Sequence, residues 1–438
     1  MRHDSFGNPV STDSDLCVAR IDHMVAHWLA YGLEATAIFE AVEADPDCVM
    51  ANVLSAALHL FAEAASGPRE AAPYLARARA RVDARPASAT PRERLWLDAV
   101  EAWAAGETDR AVALHEEIAA LAPADLGNVK LGHYHLFNLG DLPRLRRLVE
   151  GAMPAHQDNA HAWAMLSFAL EETNEFDGAM AAAERALAIT RAEPWAHHTV
   201  AHVHETRGSA AEGRAFMLAH ADTWDGLNSF MLTHNWWHVA LFEMDRDAPE
   251  EALRLYDERV WGVWKDYSQD QIGAASLLWR LEMRGLDVGA RWADLADHVA
   301  RREADHLQPF LDVQYLYALA RAGRDREADS LMAGIAEQGR VAPACARRVW
   351  AEVATPLGRG ILAHARGRHG MAADLIGPVV PRLGEIGGSH AQRDVFVQTW
   401  LDAALKAGRG AEIRAVLGER AAARPDIAIH RRQLDAAS

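Results

Sequence analysis

The sequence predicts an all-α protein made of antiparallel helical hairpins in series. Half of its 438 residues are hydrophobic, and Ala, Leu, Glu and Arg are abundant whereas β-branched residues are sparse, a balance that favours helices over sheets. Apolar helical stretches alternate with breaks at Gly, Pro or Asn about every 14 to 20 residues. Such a series of hairpins predicts an α-solenoid with a right-handed superhelix and a concave groove.

The two ends of the chain differ in character. Residues 1–14 read MRHDSFGNPVSTDS and contain no apolar stretch, so we expect a flexible polar tail. Residues 15–438 contain no low-complexity linker, which predicts one continuous helical repeat domain. No apolar stretch reaches the roughly 20 residues that a membrane helix needs, and the three cysteines form no paired motif. We therefore expect a cytoplasmic protein with no membrane partner.

The charge balance excludes one class of function. The formal net charge is −17 at pH 7, whereas nucleic-acid binding relies on a basic surface that neutralises phosphates. We expect no nucleic-acid partner. The sequence carries no signal for an oligomeric state.

Helix-breaking residues mark the hairpins of the first half in order. One helix stops at Asp45-Pro46, and residues 99–123 form a hairpin that turns at Gly106. Residues 160–190 form the clearest hairpin, with large and small apolar residues at the spacing that lets two helices of a tetratricopeptide-type repeat pack tightly. The next helix begins near Pro194 and ends at Gly208.

The second half continues the helical pattern with one irregular region. Residues 228–244 form a predicted helix, and further hairpins follow with a boundary at Pro309. Between residues 343 and 360 the pattern is least regular, and Pro356 is expected to kink or interrupt a helix. A later helix has a strong start signal, because Ser389 and Gln392 have the spacing of a capping box.

Histidines are concentrated in two of these helices at matching positions. His198 and His202 are four residues apart with Glu205 three further on, and His234 and His238 repeat the four-residue step. Residues at i, i+3 and i+4 share one helix face. The two pairs are 36 residues apart, as equivalent positions of neighbouring repeats would be. The same offset places Asp270 in the corresponding position of the following repeat.

Three interpretations of this set remain open. The four imidazoles suit a divalent metal such as Zn²⁺, Fe²⁺ or Mn²⁺, which is the one cofactor that the sequence suggests. Without a metal, His202 or His238 would exchange protons with a substrate while Glu205 orients an imidazole. In a purely structural role, the histidines would bond to one another and to carbonyls where repeats meet. The predicted catalytic residues are His198, His202, Glu205, His234 and His238.

Five motifs together resemble one known family. They are HTVAHVHE at 198–205, HNWWH at 234–238, SLLWRL at 276–281, RW at 291–292 and GGSHAQRD at 387–394. In order and spacing they are similar to the tetratricopeptide repeat protein 38 family, and the resemblance extends over most of the chain after residue 14. It implies a tetratricopeptide-repeat-like α-solenoid and implies little about activity. Near FLDVQ, Asp312 matches the family pattern, whereas Gln314 stands where that pattern has a histidine.

Polar and aromatic residues around the histidines are candidates for substrate binding. Arginine suits carboxylate or phosphate groups, and tryptophan supplies an apolar wall. The predicted substrate-binding residues are Asn235, Trp237, Asp270, Arg280, Asp312, Arg393 and Asp394.

Two functions from different classes follow from these observations. The first is an enzyme that acts on a small polar molecule in the concave groove, by metal-assisted or histidine–glutamate acid–base chemistry. The second is a non-catalytic adaptor that binds a peptide or protein partner in the same groove, as helical repeats commonly do. No phosphate-binding loop, dinucleotide fingerprint or thiolate site indicates another cofactor.

Overall fold

The computed structural model describes residues 1–437, and nearly all of its ordered elements are helices, as the composition predicted. The chain divides into two compact units. Unit 1 comprises residues 1–196 and 226–228, and unit 2 comprises residues 197–225 and the chain from 229 onward. That residues 15–438 form one continuous domain stays a prediction. The division falls between Ala196 and His197, inside helix α11 (Pro194–Arg207), so no change of composition marks it in the sequence.

Unit 1 consists of helices joined by short turns. Its helices are α1 (Asp15–Leu29), α2 (Ile38–Ala44), α3 (Val49–Phe61), α4 (Gly67–Ala84), α5 (Pro91–Ala104), α6 (Thr108–Leu121), α7 (Leu126–Leu139), α8 (Leu142–Ala152), α9 (Ala160–Glu172) and α10 (Phe176–Ile189). Short 3₁₀ turns cover Ala35–Ala37, Pro86–Ser88 and Met153–Ala155.

The hairpins of unit 1 close at the predicted breaks. Helix α2 stops immediately before Asp45-Pro46, and Gly106 adopts a left-handed φ of 75° between α5 and α6, a conformation that costs a residue with a Cβ. In the α9–α10 hairpin, the Ser167 hydroxyl donates to the Ala179 carbonyl across 2.8 Å. Ala179 and Ala183 are fully buried, so small side chains let the two helices approach closely.

The first fourteen residues form a packed hairpin where we expected a flexible tail. Strands β1 (Arg2–His3) and β2 (Pro9–Val10) pair antiparallel, and Val10 is fully buried. The backbone N–H and the hydroxyl of Ser11 donate to the Glu93 carboxylate at 2.9 and 2.6 Å. Glu93 lies 82 residues further along the chain, so the local sequence carries no signal for this anchor.

Unit 2 is also helical. Its helices are the greater part of α11, then α12 (Ala210–His220), α13 (Ser229–Asp245), α14 (Pro249–Leu255), α15 (Ser268–Met283), α16 (Arg291–Val299), α17 (Pro309–Arg321), α18 (Asp325–Val341), α19 (Ala344–Val349), α20 (Thr355–Ala365), α21 (His369–Ile376), α22 (His390–Lys406), α23 (Gly410–Ala423) and α24 (Ala428–Ala436). Short 3₁₀ segments cover Ala221–Thr223, Ala300–Arg302 and Gly377–Ile386.

The irregular region that the sequence predicts near Pro356 is a π-helical turn. Residues Trp350–Ala354 form this turn between α19 and α20, and Pro356 lies in the first turn of α20. The Thr355 hydroxyl donates to the Trp350 carbonyl at 2.8 Å. A second π turn, Tyr256–Val260, follows α14. Residues 344–365 are helical without a break, so Pro356 follows the π turn and does not end the helix.

Among the helices of residues 1–437, none combines the length and the apolar character needed to cross a membrane.

Candidate functional site

Helices α11 and α13 bring the two histidine pairs together, as the repeat offset predicted. The four-residue step places His198 and His202 on one face of α11, and His234 and His238 on one face of α13. The ring centroids of His198 and His234 are 5.0 Å apart, and those of His202 and His238 are 4.8 Å apart. We call these four residues the four-histidine cluster.

The nitrogen atoms of the four-histidine cluster converge on a small volume. One ring nitrogen from each residue lies within 4.8 Å of the corresponding nitrogens of the other three. The Nε2 atoms of His198 and His234 are only 3.1 Å apart. Two imidazole nitrogens that share a tetrahedral Zn²⁺ at about 2.0–2.1 Å lie about 3.3 Å from each other. The His198–His234 separation is therefore close to that of two ligands of one metal ion, and the other two rings are near enough to be candidate ligands.

Burial disfavours the protonated form of His198, His234 and His238. The exposed fractions of the cluster are 2% for His198, 1% for His202, 7% for His234 and 0% for His238. Burial, and next the neighbouring imidazoles, lower the pKa of His198 and of His238 well below the ordinary value. For His234 the same causes lower the pKa to about 3. Neutral imidazoles keep a nitrogen lone pair for a metal near pH 7.

Glu205 orients one member of the cluster. Its Oε2 atom is 3.2 Å from His238 Nδ1. When Glu205 is ionised, the ring donates its Nδ1 proton to the carboxylate and keeps the lone pair on Nε2. That Nε2 atom is buried and has no hydrogen-bond partner among residues 1–437. A carboxylate behind a histidine whose other nitrogen is open is the usual arrangement around protein-bound metals.

The pKa of Glu205 is raised to about 7, mainly by burial and next by Asp245.

Trp237 and Arg280 form a wall beside the cluster. The Trp237 ring is stacked on His234, with centroids 5.1 Å apart and planes 9° from parallel, and its indole N–H donates to Ser276 Oγ at 3.0 Å. The Arg280 guanidinium lies 5.3 Å from the centre of the Trp237 ring. Arg280 is buried and donates to the Ala391 carbonyl at 2.6 Å. Both predicted residues are thus next to the four-histidine cluster.

A small charged cavity lies on the other side of Glu205. It measures about 20 Å³, and since a buried water needs at least about 10–15 Å³, it has room for one water molecule. Its charged and ionisable lining residues come from five helices and the end of α23, namely Glu205, Asp245, Arg280, Arg284, Asp394, Arg420, Arg424 and His430. Asp394 and Arg280 therefore share this cavity with Glu205.

Asp394 is held by a paired arginine. Arg420 donates to its two oxygens at 2.7 and 3.0 Å, and Gln398 donates to it at 2.6 Å. Although burial opposes ionisation, Arg420 and Arg424 hold the pKa of Asp394 far below its usual range. Arg393 points elsewhere, because it donates to the Gly388 carbonyl and contacts His390.

Asp270 contacts the start of α13 instead of extending the row of histidines. Its carboxylate accepts from Thr233 Oγ1 at 3.4 Å and from the Trp264 N–H at 3.2 Å. Burial raises the pKa of Asp270 to about 7. The repeat offset thus predicted the neighbouring helix, and the bond from that helix comes from Thr233, one residue before His234.

Two further predicted residues have other surroundings. Asp312 is buried and accepts from His306 Nδ1 at 2.7 Å, and burial raises its pKa to about 6. Its neighbour Gln314 donates to the Phe310 carbonyl at 3.1 Å. Asn235 is fully buried, and its side-chain amide has no hydrogen-bond partner among residues 1–437. Substrate binding by these residues stays a prediction.

The sequence analysis missed Asp245, Arg420 and Arg424 beside Glu205. Arg424 donates to the Glu205 carbonyl at 3.4 Å across 219 residues of chain, and such separations leave no spacing pattern to read. Compared with known protein families, the sequence matches no family model.

Proposed function

We propose that unit 2 binds one divalent transition-metal ion through His198, His202, His234 and His238. The observation that carries this proposal is the convergence of four buried imidazole nitrogens within 4.8 Å of one another. Imidazole is a good ligand for Zn²⁺, Fe²⁺, Ni²⁺ and Cu²⁺. Glu205 fixes the ring of His238 from behind, with its Oε2 atom 3.2 Å from Nδ1.

A bound metal would explain two features that cost free energy if the histidines have only a structural role. The His238 Nε2 atom is buried without a partner among residues 1–437, and an unsatisfied buried polar atom costs about 1–3 kcal/mol. Between His198 and His234, two Nε2 atoms face each other at 3.1 Å, and a proton satisfies that contact only in one direction. A metal ion accepts the lone pairs of all these nitrogens at once.

The surroundings of His234 and His238 argue against acid–base catalysis by these two rings. A general base works best when its pKa is near the operating pH, whereas burial and neighbouring rings lower the pKa of His234 to about 3. Rings with so low a pKa are poor proton acceptors near neutrality and good metal ligands.

The metal would be strongly electrophilic. Four neutral ligands leave the ion its full double charge, and Glu205 balances it only through His238. If bound by these four residues with a fifth position open, such an ion would polarise a water or carbonyl oxygen and lower the pKa of bound water. We therefore propose an enzyme that uses this metal to act on a small polar molecule. His234 is the most exposed ligand, at 7%, and marks the side from which a molecule would approach.

Elemental analysis of the purified protein tests the metal site. We expect close to one equivalent of a transition metal in the wild type and loss of that metal in His198→Ala and His234→Ala. His364→Ala is the matched control, because His364 is a buried histidine of unit 2 that is paired with a carboxylate, its Nε2 lying 2.7 Å from Asp402. The control should keep the metal. Equal metal content in all four folded proteins, or none after incubation with Zn²⁺, would refute the site.

Catalysis is tested separately. The metal-loaded protein and His234→Ala would be compared on a panel of small esters, amides and phosphate esters. We expect turnover of at least one compound that requires both the metal and His234. Identical rates for the two proteins across the panel would count against the enzyme and leave the metal site standing.

We also propose that the hairpins of both units repeat in the manner of tetratricopeptide repeats, and that the chain belongs with the tetratricopeptide repeat protein 38 family that its motifs resemble. Close packing of α9 on α10 through Ala179 and Ala183 supports this, as does the 36-residue offset between paired histidines. In an experimental structure, one nearly constant rotation should relate successive hairpins. Hairpins with unrelated rotations would contradict the proposal.

A further inference from the structure

A second group of metal-type ligands lies in unit 1, outside the site described above. His23 and His27 are one turn apart on α1, and Glu34 follows in the loop after that helix. The Glu34 Oε2 atom is 2.8 Å from His23 Nε2 and 3.7 Å from His27 Nε2. One atom from each residue lies within 4.8 Å of the other two.

The loop after α1 is shaped to bring Glu34 back onto the helix. Tyr31 has a left-handed φ of 56°, and the Gly32 N–H donates to the His27 carbonyl at 2.7 Å. A Cβ at Gly32 would lie 2.3 Å from His27 Nδ1. Glycine at this position therefore leaves room for the imidazole of His27, with its Nε2 atom directed towards Glu34.

Two imidazoles are directed at one oxygen of Glu34, whereas an ion pair requires only one. His23 alone satisfies Glu34 Oε2 at 2.8 Å, and the His27 ring lies against the His23 ring with centroids 4.4 Å apart. The two imidazoles and the carboxylate form a three-ligand set, and the distances of 2.8 and 3.7 Å lie on either side of the roughly 3.3 Å between ligands of one tetrahedral ion.

We infer that His23, His27 and Glu34 form a second site for a divalent transition-metal ion, in which water completes the coordination. The side chains of His23 and His27 are 33% and 32% exposed, and that of Glu34 is 65% exposed, so solvent reaches the open positions. Three ligands at an accessible surface bind more weakly than four buried ones. Imidazole with carboxylate prefers Cu²⁺, Ni²⁺ or Zn²⁺ to Mg²⁺ or Ca²⁺.

Calorimetric titration with Zn²⁺ tests the inference in a protein that lacks the first site. In His234→Ala, one Zn²⁺ per chain should still bind, and the additional change His23→Ala or His27→Ala should abolish that binding. Glu34→Gln in the same background should weaken it about tenfold or more. His59→Ala is the matched control, since His59 is a partly exposed histidine of unit 1 that faces one carboxylate, Glu70, at 3.4 Å, and it should not alter the titration.

A second readout is local to the loop. Zn²⁺ should slow hydrogen exchange of residues 30–34 in the wild type and in His59→Ala, but not in His27→Ala. Unchanged Zn²⁺ binding in the His23 and His27 variants, or no Zn²⁺ binding to His234→Ala, would overturn this second site. Neither outcome bears on the four-histidine cluster, whose test is the metal content of the protein as purified.

Discussion

The proposed role of Glu205 in metal binding depends directly on the chemistry of its carboxylate. Its carboxylate accepts from His238 Nδ1 at 3.2 Å, and partners of this kind typically change metal affinity by about 10–100-fold. Glu205→Gln keeps an acceptor but removes the charge, so we expect about a tenfold loss of Zn²⁺ affinity. Glu205→Ala removes both, and we expect about a hundredfold loss, measured by competition with a chelator.

The matched control for Glu205 is Asp402, a carboxylate that also contacts a buried histidine. Asp402 lies 2.7 Å from His364 Nε2, and Asp402→Ala should leave Zn²⁺ affinity unchanged. Equal affinity for wild type and Glu205→Ala would show that the carboxylate does not support the metal.

Asp270 provides a test of pH dependence. Burial raises its pKa from 3.8 to about 7 in the folded protein. An acid whose pKa is higher in the folded than in the unfolded protein stabilises the fold most below its unfolded pKa. That stabilisation is lost as the pH rises through about 7. Asp270→Asn removes the cost of ionisation. Relative to the wild type, the variant should gain stability between pH 4 and pH 8, on the order of 4 kcal/mol for about three pKa units at 1.36 kcal/mol each.

Urea unfolding at several pH values between 4 and 8 measures this difference. The amide can still accept the Trp264 N–H, which lies 3.2 Å from the native carboxylate, so the fold should survive. A difference between variant and wild type that does not vary with pH would contradict the raised pKa of Asp270.

At the residue scale, spacing predicted which side chains meet but not what each one does. The steps of four and 36 residues correctly placed His198 beside His234. Spacing could not reveal that Asp270 bonds to Thr233, or that Arg280 donates to the Ala391 carbonyl 111 residues away. Those partners depend on rotamers and on packing between distant segments, which no local pattern encodes.

Helix α22 shows how a local signal becomes a defined element. Ser389 and Gln392 form the capping box that their spacing predicted, with bonds of 3.3 Å to the Gln392 N–H and 3.0 Å to the Ser389 N–H. Just before it, Gly388 has a φ of 79°, and a Cβ there would lie 2.5 Å from the ring of Phe310. The GGS sequence thus forms a closely packed turn that leads into α22.

Gly388→Ala should destabilise unit 2 more than an ordinary glycine substitution. Gly408 also has a left-handed φ, 73°, but a Cβ there meets nothing within 4 Å. Gly408→Ala should cost about 1–2 kcal/mol for the backbone conformation alone. Gly388→Ala should cost about 1–3 kcal/mol more, because the ring of Phe310 must move. Denaturant unfolding of both variants measures the difference, and equal costs would contradict the close contact.

At the scale of elements, helix ends were predictable because Gly and Pro act within one turn. The breaks at Gly106 and Pro194 fall where the structure ends α5 and begins α11. Strands β1 and β2 were not predictable. Each has two residues, and their anchor on Glu93 lies far along the chain.

For the whole molecule, a metal in unit 2 links binding to folding. A ligand that binds only the folded state stabilises it by about 2.7 kcal/mol at one hundred times its dissociation constant. Zn²⁺ at that excess should therefore slow hydrogen exchange through global opening in α11 and α13, and a chelator should reverse the effect. In a His27→Ala background, which removes the site in unit 1, the further change His198→Ala should abolish this response. An equal response in the variant would show that the protection arises elsewhere.

The division into two units also limits what sequence patterns can predict. The boundary between Ala196 and His197 lies inside α11, so helical periodicity continues through it. Composition and periodicity report local structure, whereas a unit is defined by which segments share a core. The all-α class followed from composition, and the division did not.

The location of the metal itself tests the central claim most directly. Anomalous diffraction from crystals of the metal-loaded protein, collected at the absorption edge of the bound element, should show a peak within about 2.0–2.1 Å of one nitrogen from each of His198, His202, His234 and His238. Loaded crystals with no peak there, or with these four rings hydrogen-bonded to one another around an empty centre, would contradict the proposal that the four-histidine cluster is a metal site.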